Sequence, residues 1–536
     1  MKCFLFPFLL SVSLSVNAQK NINVLHYRYE IELNDKDDTI RGKATITFIT
    51  LNELKEVVFD LGGGFAGKGK EMLVTKADLP YMNPYSGDAG NHFTHYNSKI
   101  IILAWAPLKK GDTLMVTVNY KGIPSDGLII SRSRFGRRTF FSDNWPDRAR
   151  HWIPCNDDPS DKASVEFIVT APAHYKVVSN GILVEEKELV NNKKLTHWKE
   201  DTPLPTKIMV IGVADFAVET AGVVHGIPVT SWVFPENKKA GFNDYAQATG
   251  VLSWFIDYIG PFPYKKLANV QSKTIFGGME NAGAIFYNED YIETKQMDER
   301  LFAHEISHQW FGDMVTETNF SHLWLSEGFA SYLPNIYLES KYGTGRMDKE
   351  MKEDRQQSID FAKTTDKPVV DTVSPYMQLL NANSYQKGGW VLHMLRRQLG
   401  DSVFHAIIRS FYASFAGKNA DTRDFQKICE QVSGIDLGIF FQQWLYTQGH
   451  PVLDIKWKYD KKNSNTLVTI TQLQKNIFQF PLEIAIKTAS GKTLLKTFSV
   501  TKQTMQFSIP SKEKITGINA DPNTSLLFDG TVSRVN

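Results

Sequence analysis

The sequence is poor in cysteine, with 3 in 536 residues, and has almost no excess of charge of either sign. So few cysteines exclude a disulfide framework and a metal site built from several thiolates. Lys and Arg number 60 and Asp and Glu 58, so the formal net charge is +2 and offers no general attraction for nucleic acid or an anionic membrane. We therefore expect no nucleic-acid partner, and we expect Cys155 and Cys429 to be free buried thiols.

The sequence also lacks internal repeats, low-complexity tracts and an apolar run of the about 20 residues that a bilayer-spanning helix needs. Its hydrophobic fraction of 42% and charged fraction of 22% indicate a folded globular protein rather than a disordered chain. At roughly 100–200 residues per domain, the length predicts about three domains.

The N-terminus has the composition of a secretory signal. Lys2 precedes an apolar run from Cys3 to Val16, and Val16-Asn17-Ala18 fits a signal peptidase site. We therefore predict a signal peptide over residues 1–18 and an exported protein, periplasmic or secreted. No membrane anchor is expected after cleavage.

The spacing of apolar residues divides the remaining chain into three parts. Short alternating runs from residue 19 to residue 221 are typical of an antiparallel β domain. Over residues 222–450 apolar residues recur at intervals of three and four, which predicts a mainly helical domain, with a strand-like, glycine-rich stretch at 267–287. Alternation returns over residues 451–536 and predicts a small β-sandwich. The expected fold class is multidomain α+β.

His304 and His308 belong to a His-Glu-x-x-His pattern. On a helix, residues four apart lie on one face about one turn apart, so both imidazoles can reach one metal ion. Glu305 falls beside that ion, which suits the general base of a hydrolytic zinc site. The pattern predicts one Zn2+ per chain.

A third ligand is expected, because catalytic zinc is bound by three protein side chains and keeps one position for water. Glu327 is separated from His308 by 18 residues and stands near the start of a second predicted helix. Its neighbours are largely apolar, and a carboxylate is costly to bury in such company unless it is paired. We therefore predict that Glu327 completes the zinc site.

With these residues the sequence resembles the gluzincin metallopeptidases related to aminopeptidase N and leukotriene hydrolase. Two further segments make the resemblance specific: Gly-Gly-Met-Glu-Asn at 277–281 and Ser-Tyr-Gln-Lys-Gly-Gly at 384–389. Residues 149–155 and 442–451 also match the family pattern. The resemblance covers essentially the whole chain after the predicted signal peptide.

The resemblance implies a thermolysin-like, mainly α catalytic domain and an aminopeptidase that acts on peptides with a free N-terminus. It implies that Glu305 is the general base and that Tyr385 stabilises the oxyanion. It also implies that Glu280 binds the free α-amine of the substrate. The other substrate-binding residues that it implies are Gly277, Gly278, Met279 and Asn281.

Three positions depart from the family pattern. Asp143 and Trp145 stand where relatives often have a Gln and a Glu near the substrate amine. Asp143 can still pair with an ammonium group, whereas Trp145 can only wall a side-chain pocket. Pro334 stands where many relatives keep a Glu, and it should kink its helix or open the hydrogen bonding there. The long members also have a C-terminal helical domain, and we expect this chain to be of the bacterial type without it.

Three alternative functions fit the sequence less well. A lipid-epoxide hydrolase would use the same zinc site, but nothing in the sequence marks a long apolar tunnel. A non-catalytic binding protein on this scaffold would typically lose the His-Glu-x-x-His pattern, which is intact here. An endopeptidase would lack the amine anchor, so Glu280 argues against it. The preferred N-terminal residue and the oligomeric state are not indicated.

Overall fold

The structure is a computed structural model of the chain. It describes residues 20–63, 70–79, 93–294, 297–510 and 513–535. The predicted signal peptide, residues 1–18, lies outside the described residues.

The first part of the chain is built from strands, as its alternating apolar residues predict. In the first strand, Tyr27, Tyr29 and Ile31 are buried and the residues between them are not. The strands of this part are β1 (Ile22–Glu32), β2 (Ile40–Thr50), β3 (Leu54–Asp60), β4 (Met72–Asp78), β5 (Phe93–Tyr96), β6 (Lys99–Leu108), β7 (Thr113–Gly122), β8 (Leu128–Arg132), β9 (Arg138–Ser142), β10 (Ala163–Pro172), β11 (Lys176–Ser179), β12 (Ile182–Leu189), β13 (Lys193–Leu204) and β14 (Ile211–Ala214).

These strands form a seven-stranded sheet in the order β12-β13-β10-β1-β2-β7-β4 and two smaller sheets, β11-β14-β9-β8 and β3-β6-β5. Most neighbours are antiparallel, as predicted. The exception is β1, which pairs in parallel with β10, with Tyr27 opposite Val165. A parallel pair joins segments far apart in the chain, so a local alternation pattern carries no sign of it.

The middle part is mainly helical. Its helices are α1 (Lys238–Tyr245), α2 (Ala248–Tyr258), α3 (Glu299–His308), α4 (Trp324–Tyr342), α5 (Thr344–Ala362), α6 (Gly388–Leu399), α7 (Asp401–Phe415), α8 (Thr422–Ser433) and α9 (Gly438–Leu445). Its strands are β15 (Ala217–Val224), β16 (Ile227–Val233), β17 (Leu267–Ser272), β18 (Gly278–Met279), β19 (Ala284–Asn288), β20 (Thr316–Glu317) and β21 (Asn419–Ala420).

Five of these strands form a sheet in the order β15-β16-β17-β19-β18, which leaves β18 at an edge. Because β15 pairs along its length with β16, it belongs to this sheet and not to the first domain. The predicted boundary between residues 221 and 222 falls inside β15.

Helix α4 runs through the middle of the second domain, and its residues from Trp324 to Leu338 are all buried. Pro334 lies inside this helix, which continues to Tyr342. A proline has no amide hydrogen to donate, so the helix lacks the bond that residue 334 would make to the carbonyl of Ala330. The helix therefore continues past Pro334 with one backbone hydrogen bond missing.

The last part returns to strands: β22 (Val452–Asp460), β23 (Asn465–Gln472), β24 (Phe480–Thr488), β25 (Thr493–Val500), β26 (Thr504–Pro510), β27 (Ile515–Ala520) and β28 (Asp529–Arg534). They form two sheets, β26-β23-β22-β28 and β25-β24-β27. The rings of Phe498 and Phe507, one from each sheet, contact each other at 4.5 Å between centroids. The predicted order of β, mainly α and β parts is therefore confirmed.

Two further expectations concern thiols and membranes. Cys155 and Cys429 are both free and buried, as predicted. Among the described residues, no helix combines the length and the apolar character needed to cross a membrane.

Candidate metal centre and active site

Helix α3 places the two histidines of the His-Glu-x-x-His pattern. The helix begins after Asp298, whose carboxylate accepts a hydrogen bond from the Leu301 amide at 3.0 Å and so caps the N-terminus. Phe302 and Ile306 are fully buried in the core. The opposite face therefore turns His304 and His308 towards a cavity.

Three potential ligand atoms converge at this face. The Nε2 atoms of His304 and His308 lie 3.2 Å apart, and Glu327 Oε2 lies 3.5 and 3.4 Å from them. Ligands about 2.0–2.1 Å from a tetrahedral zinc ion would be separated by roughly 3.3–3.4 Å. The buried Glu327 Oε2 also has no hydrogen-bond partner among the described residues. The donor set therefore fits a zinc ion in both spacing and chemistry.

Contacts of the Nδ1 atom fix the orientation of the His308 ring. Its Nδ1 lies 3.2 Å from the Phe311 carbonyl oxygen and 3.1 Å from Ser326 Oγ. When Nδ1 carries the hydrogen and donates it to the carbonyl, Nε2 keeps its lone pair for a metal ion. Ser326 precedes Glu327 by one residue, so the same short segment orients one ligand and supplies another.

The local field favours a positive charge between these ligands. Burial opposes protonation of His308, but the carboxylates of Glu280 and Glu327 raise its pKa to about 10. Burial lowers the pKa of His304. Although burial disfavours the charged form of Glu327, the two histidines hold its pKa well below the ordinary range. The same carboxylates would stabilise a divalent cation bound between the ligands.

Glu305 and Glu280 stand together beside the ligands. Oxygen atoms of these two carboxylates and a ring nitrogen of His308 all lie within 4.8 Å of one another. Burial is the main cause that raises the pKa of Glu305 well above its ordinary value, and the nearby Glu280 carboxylate adds to it. Burial likewise raises the pKa of Glu280. The pair can accept a proton and a cationic group at adjacent positions.

Glu280 follows directly after β18. The ladder pairs Gly278 with Tyr287 and Met279 with Phe286 of β19, so the backbone that leads to Glu280 is set by the sheet. Gly277 and Gly278 leave the surface of this edge strand without side chains, and both line the cavity.

Tyr385 approaches the site from a different segment, a single π-helical turn over Asn383–Lys387. Its ring is parallel to that of His304, with 6.1 Å between centroids. Burial, followed by the Glu327 carboxylate, raises the pKa of Tyr385 well above its ordinary value, so the phenol stays protonated. The turn is tied to the end of the domain because Lys387 Nζ donates to the Gly449 carbonyl at 2.7 Å.

The cavity that contains these groups has a volume of about 460 Å3. Besides the ligands, the two carboxylates and Tyr385, its walls combine apolar side chains with glycines and with the polar side chains of Asp298, Arg300, Ser331 and Gln386. Those apolar side chains are Trp145, Phe276, Met279, Leu301, Ala330, Pro334 and Leu380. Trp145 packs edge-on against Phe276, with 6.2 Å between ring centroids.

Two predicted substrate-binding residues are not on the cavity wall. Asp143 is fully buried, and its carboxylate accepts hydrogen bonds from Arg148 at 2.8 Å and from the Ile275 amide at 3.0 Å. Arg148 is therefore the cationic partner of Asp143 in this structure, and pairing of Asp143 with a substrate amine stays a prediction. Asn281 is also fully buried and is not one of the residues that line the cavity.

Arg300 is a cavity residue that the sequence reasoning missed. It lies four residues before His304 and therefore on the same helix face, which is the signal that could have identified it. Its guanidinium donates to both Asp354 carboxylate oxygens at 3.0 Å and lies 3.2 Å from Glu350. Its charge is thus balanced by α5, and it joins the zinc helix to that helix.

Comparison with known proteins identifies the family of this chain. Residues 23–208 match the model of the Peptidase M1 N-terminal domain, and residues 244–444 match that of the Peptidase family M1 domain. The chain belongs to peptidase family M1. The second match contains all three zinc ligands, Glu280, Glu305 and Tyr385. Family M1 aminopeptidases depend on zinc, so the ion that suits this donor set is also the family's cofactor.

Several M1 aminopeptidases are similar to this chain. Aminopeptidase M1 of Arabidopsis thaliana is 30% identical over 334 residues, which is 59% of this chain and 38% of that protein. Glutamyl aminopeptidase of Sus scrofa is 29% identical over 333 residues, 59% of this chain and 35% of that protein. Aminopeptidase M1-D of rice (Oryza sativa subsp. japonica) is 28% identical over 327 residues, 58% and 37% respectively. The matched stretch is thus little more than a third of each relative's length.

Proposed function

We propose that the protein is a zinc aminopeptidase that hydrolyses the N-terminal peptide bond of peptides. The observation that carries this proposal is the position of the Glu280 carboxylate, within 4.8 Å of Glu305 and His308 at the metal centre. A carboxylate in that place can bind a free α-ammonium by a charge-assisted hydrogen bond. The scissile bond then falls one residue beyond the anchor.

The roles of the protein groups follow from their positions. His304, His308 and Glu327 would hold the zinc ion, which supplies Lewis acidity and lowers the pKa of a water molecule when it is bound. Glu305 would accept the proton of the attacking water and deliver a proton to the leaving amine. Burial raises the pKa of Glu305 well above its ordinary value, which makes the carboxylate a stronger proton acceptor.

Tyr385 would donate a hydrogen bond to the oxygen that becomes negative during attack. Burial raises its pKa well above the ordinary value and so favours the protonated phenol, which is the form that donates. A donor aimed at developing charge acts mainly on the transition state, so it affects turnover more than substrate binding.

The substrate backbone would bind along β18. This strand is at the edge of its sheet, so its free side can pair with an extended peptide. Gly277 and Gly278 would contribute backbone groups to that pairing. We further propose that the catalytic domain is thermolysin-like, a view supported by its five-stranded sheet and by two successive helices, α3 and α4, that share the ligands.

The apolar wall would hold the side chain of the N-terminal residue. Trp145, Phe276, Met279 and Leu380 contribute to it, and the guanidinium of Arg300 is already paired with acidic groups. This favours large uncharged N-terminal residues. Export to the periplasm or the exterior is part of the proposal and is supported by the composition of residues 1–18.

A panel of aminoacyl fluorogenic substrates tests the proposal, with each substrate prepared both free and N-acetylated. We expect zinc-dependent release from the free forms only, and faster release after Leu, Met or Phe than after Glu or Lys. Equal cleavage of blocked and free substrates would refute the exopeptidase assignment. A purified, zinc-loaded protein that cleaves none of them would refute the peptidase assignment.

A further inference from the structure

Glu280, the proposed amine anchor, lies just beyond the end of edge strand β18. β18 ends at Met279, and the ladder with β19 does not extend to Glu280. The next residues, 280–283, form a buried turn, with Glu280 5% exposed and Asn281 fully buried. Buried backbone groups need hydrogen-bond partners, so the partners of this turn decide how firmly Glu280 is placed.

Gln309 supplies partners on both sides of the turn. Its Nε2 donates to the Glu280 carbonyl oxygen at 2.7 Å, and its Oε1 accepts from the Gly283 amide at 2.8 Å. The same Nε2 donates to Asp313 Oδ2 at 3.0 Å, which fixes the amide plane. Gln309 is fully buried and follows the zinc ligand His308 in the chain.

Two other buried side chains complete the turn. Asn180, from the end of β11, donates to the Ala282 carbonyl at 2.9 Å. Lys266 donates to the Gly283 carbonyl at 2.8 Å. These two bind beyond the anchor, whereas Gln309 alone among the described side chains bonds to the main chain of Glu280 itself.

We infer that Gln309 is a positioning residue that ties the amine anchor to the zinc helix. Because the C-terminal end of α3 carries both His308 and Gln309, one rigid element fixes the metal ligand and the backbone of Glu280. Gln309 then helps to fix the distance between the ammonium site and the reacting carbonyl, together with the β18–β19 ladder. Holding that distance is what confines cleavage to the first peptide bond.

The inference rests on the proposed aminopeptidase function and is tested by Gln309→Met. Methionine has a similar length but leaves the Glu280 carbonyl, the Gly283 amide and Asp313 Oδ2 without this partner. The matched control is Gln443→Met, because Gln443 is also nearly buried and bonds the Gln479 carbonyl at 2.7 Å and amide at 2.8 Å.

Two inhibitors separate anchoring from folding. L-leucinol has a free amine and no scissile bond, whereas N-acetyl-L-leucinol lacks the amine. For Gln309→Met we expect a rise of about tenfold in the inhibition constant of L-leucinol, the size of one lost hydrogen bond. The constant for N-acetyl-L-leucinol and the zinc content should not change, and Gln443→Met should resemble the wild type in all three.

An L-leucinol constant within twofold of wild type in Gln309→Met would overturn the inference. Loss of zinc from that variant would also overturn it, because Gln309 would then serve the metal ligands instead. If Gln309→Met does not fold, Gln309→Glu takes its place, since it keeps the acceptor for the Gly283 amide and loses both donors. A wild type that binds both inhibitors equally would instead refute the proposed anchor.

Discussion

The Cα of Gly278 faces the carboxylate of Glu305 so closely that a Cβ at position 278 would lie 2.2 Å from Glu305 Oε1. The carboxylate of Glu305, the proposed general base, therefore occupies space that a side chain at position 278 would fill. Strand β18 and helix α3 therefore approach each other at this point with no side chain from position 278 between them.

Gly278→Val should displace the Glu305 carboxylate and lower kcat by about 100-fold, the cost of moving a catalytic group by roughly 1 Å. Zinc content should be unchanged, because the three atoms nearest the added Cβ all belong to Glu305 and none to a ligand. Steady-state kinetics and metal analysis check this. The matched control is Gly517→Val in β27, where a new Cβ meets nothing within 4 Å; equal losses in the two variants would contradict the steric explanation.

Glu305→Gln should retain zinc and lose about 10²–10⁴-fold in kcat, because the amide cannot accept the proton of water. Turnover of a free aminoacyl substrate and the zinc-to-protein ratio are the measurements. Glu353→Gln, at a solvent-exposed carboxylate of α5, is the control and should behave as wild type. Undiminished turnover in Glu305→Gln would remove the assigned base.

Tyr385→Phe should lower kcat by about 10²–10³-fold with little change in KM, since the lost donor acts on the developing oxyanion. The kcat and KM values of one good substrate test this. Tyr459→Phe, in the C-terminal strands, should leave both unchanged. A rise in KM without a fall in kcat would assign Tyr385 to substrate binding instead.

Zinc binding should tighten as pH rises. The pKa of His308 is about 10 in the metal-free site, so binding of the ion displaces a proton. Displacement of one proton gives about a tenfold gain in apparent affinity per pH unit below that pKa. Competition with a chelator at pH 6 and pH 8 measures this, and removal of zinc should abolish activity until zinc is restored. Equal affinities at the two pH values would contradict the prediction.

Lys266 should make folding stability depend on pH. Burial lowers its pKa from 10.5 to about 7, so between these values the unfolded chain holds the proton and the folded chain does not. The contribution of Lys266 to the free energy of unfolding therefore rises with pH across this window. In urea denaturation, Lys266→Met should lose that rise. The exposed neighbour Lys265 is the control, and Lys265→Met should keep the rise; the same profile in both variants would refute the assignment.

The metal site could be predicted closely because its signals are local. A spacing of four residues places His304 and His308 on one helix face whatever surrounds the helix. Glu327 was predictable because an acidic residue in an apolar segment needs a partner. The helical regions around these residues were predicted for the same reason, since their apolar periodicity is strong.

Other features depend on contacts between distant segments. Helix α5 has weak apolar periodicity, because it buries Glu350 and Asp354 against Arg300 as well as apolar residues. Asp143 was placed by its position in the sequence, which gives no information about the direction of its side chain. Its partner Arg148 is only five residues away. Whether Asp143 pairs with Arg148 or with a substrate amine depends on where the folded chain places its carboxylate, and the sequence does not give that position.

The first β domain also contributes to the active centre from outside the catalytic domain. Lys207 of that domain is buried 2.5 Å from Glu317, and Asn180 bonds the turn that follows the amine anchor. A catalytic domain produced alone would lose the Lys207 partner of Glu317 and the Asn180 hydrogen bond to the Ala282 carbonyl. A fusion of the catalytic domain to an unrelated N-terminal domain would therefore keep the zinc ligands. It would lose these two contacts, which hold segments next to the active site.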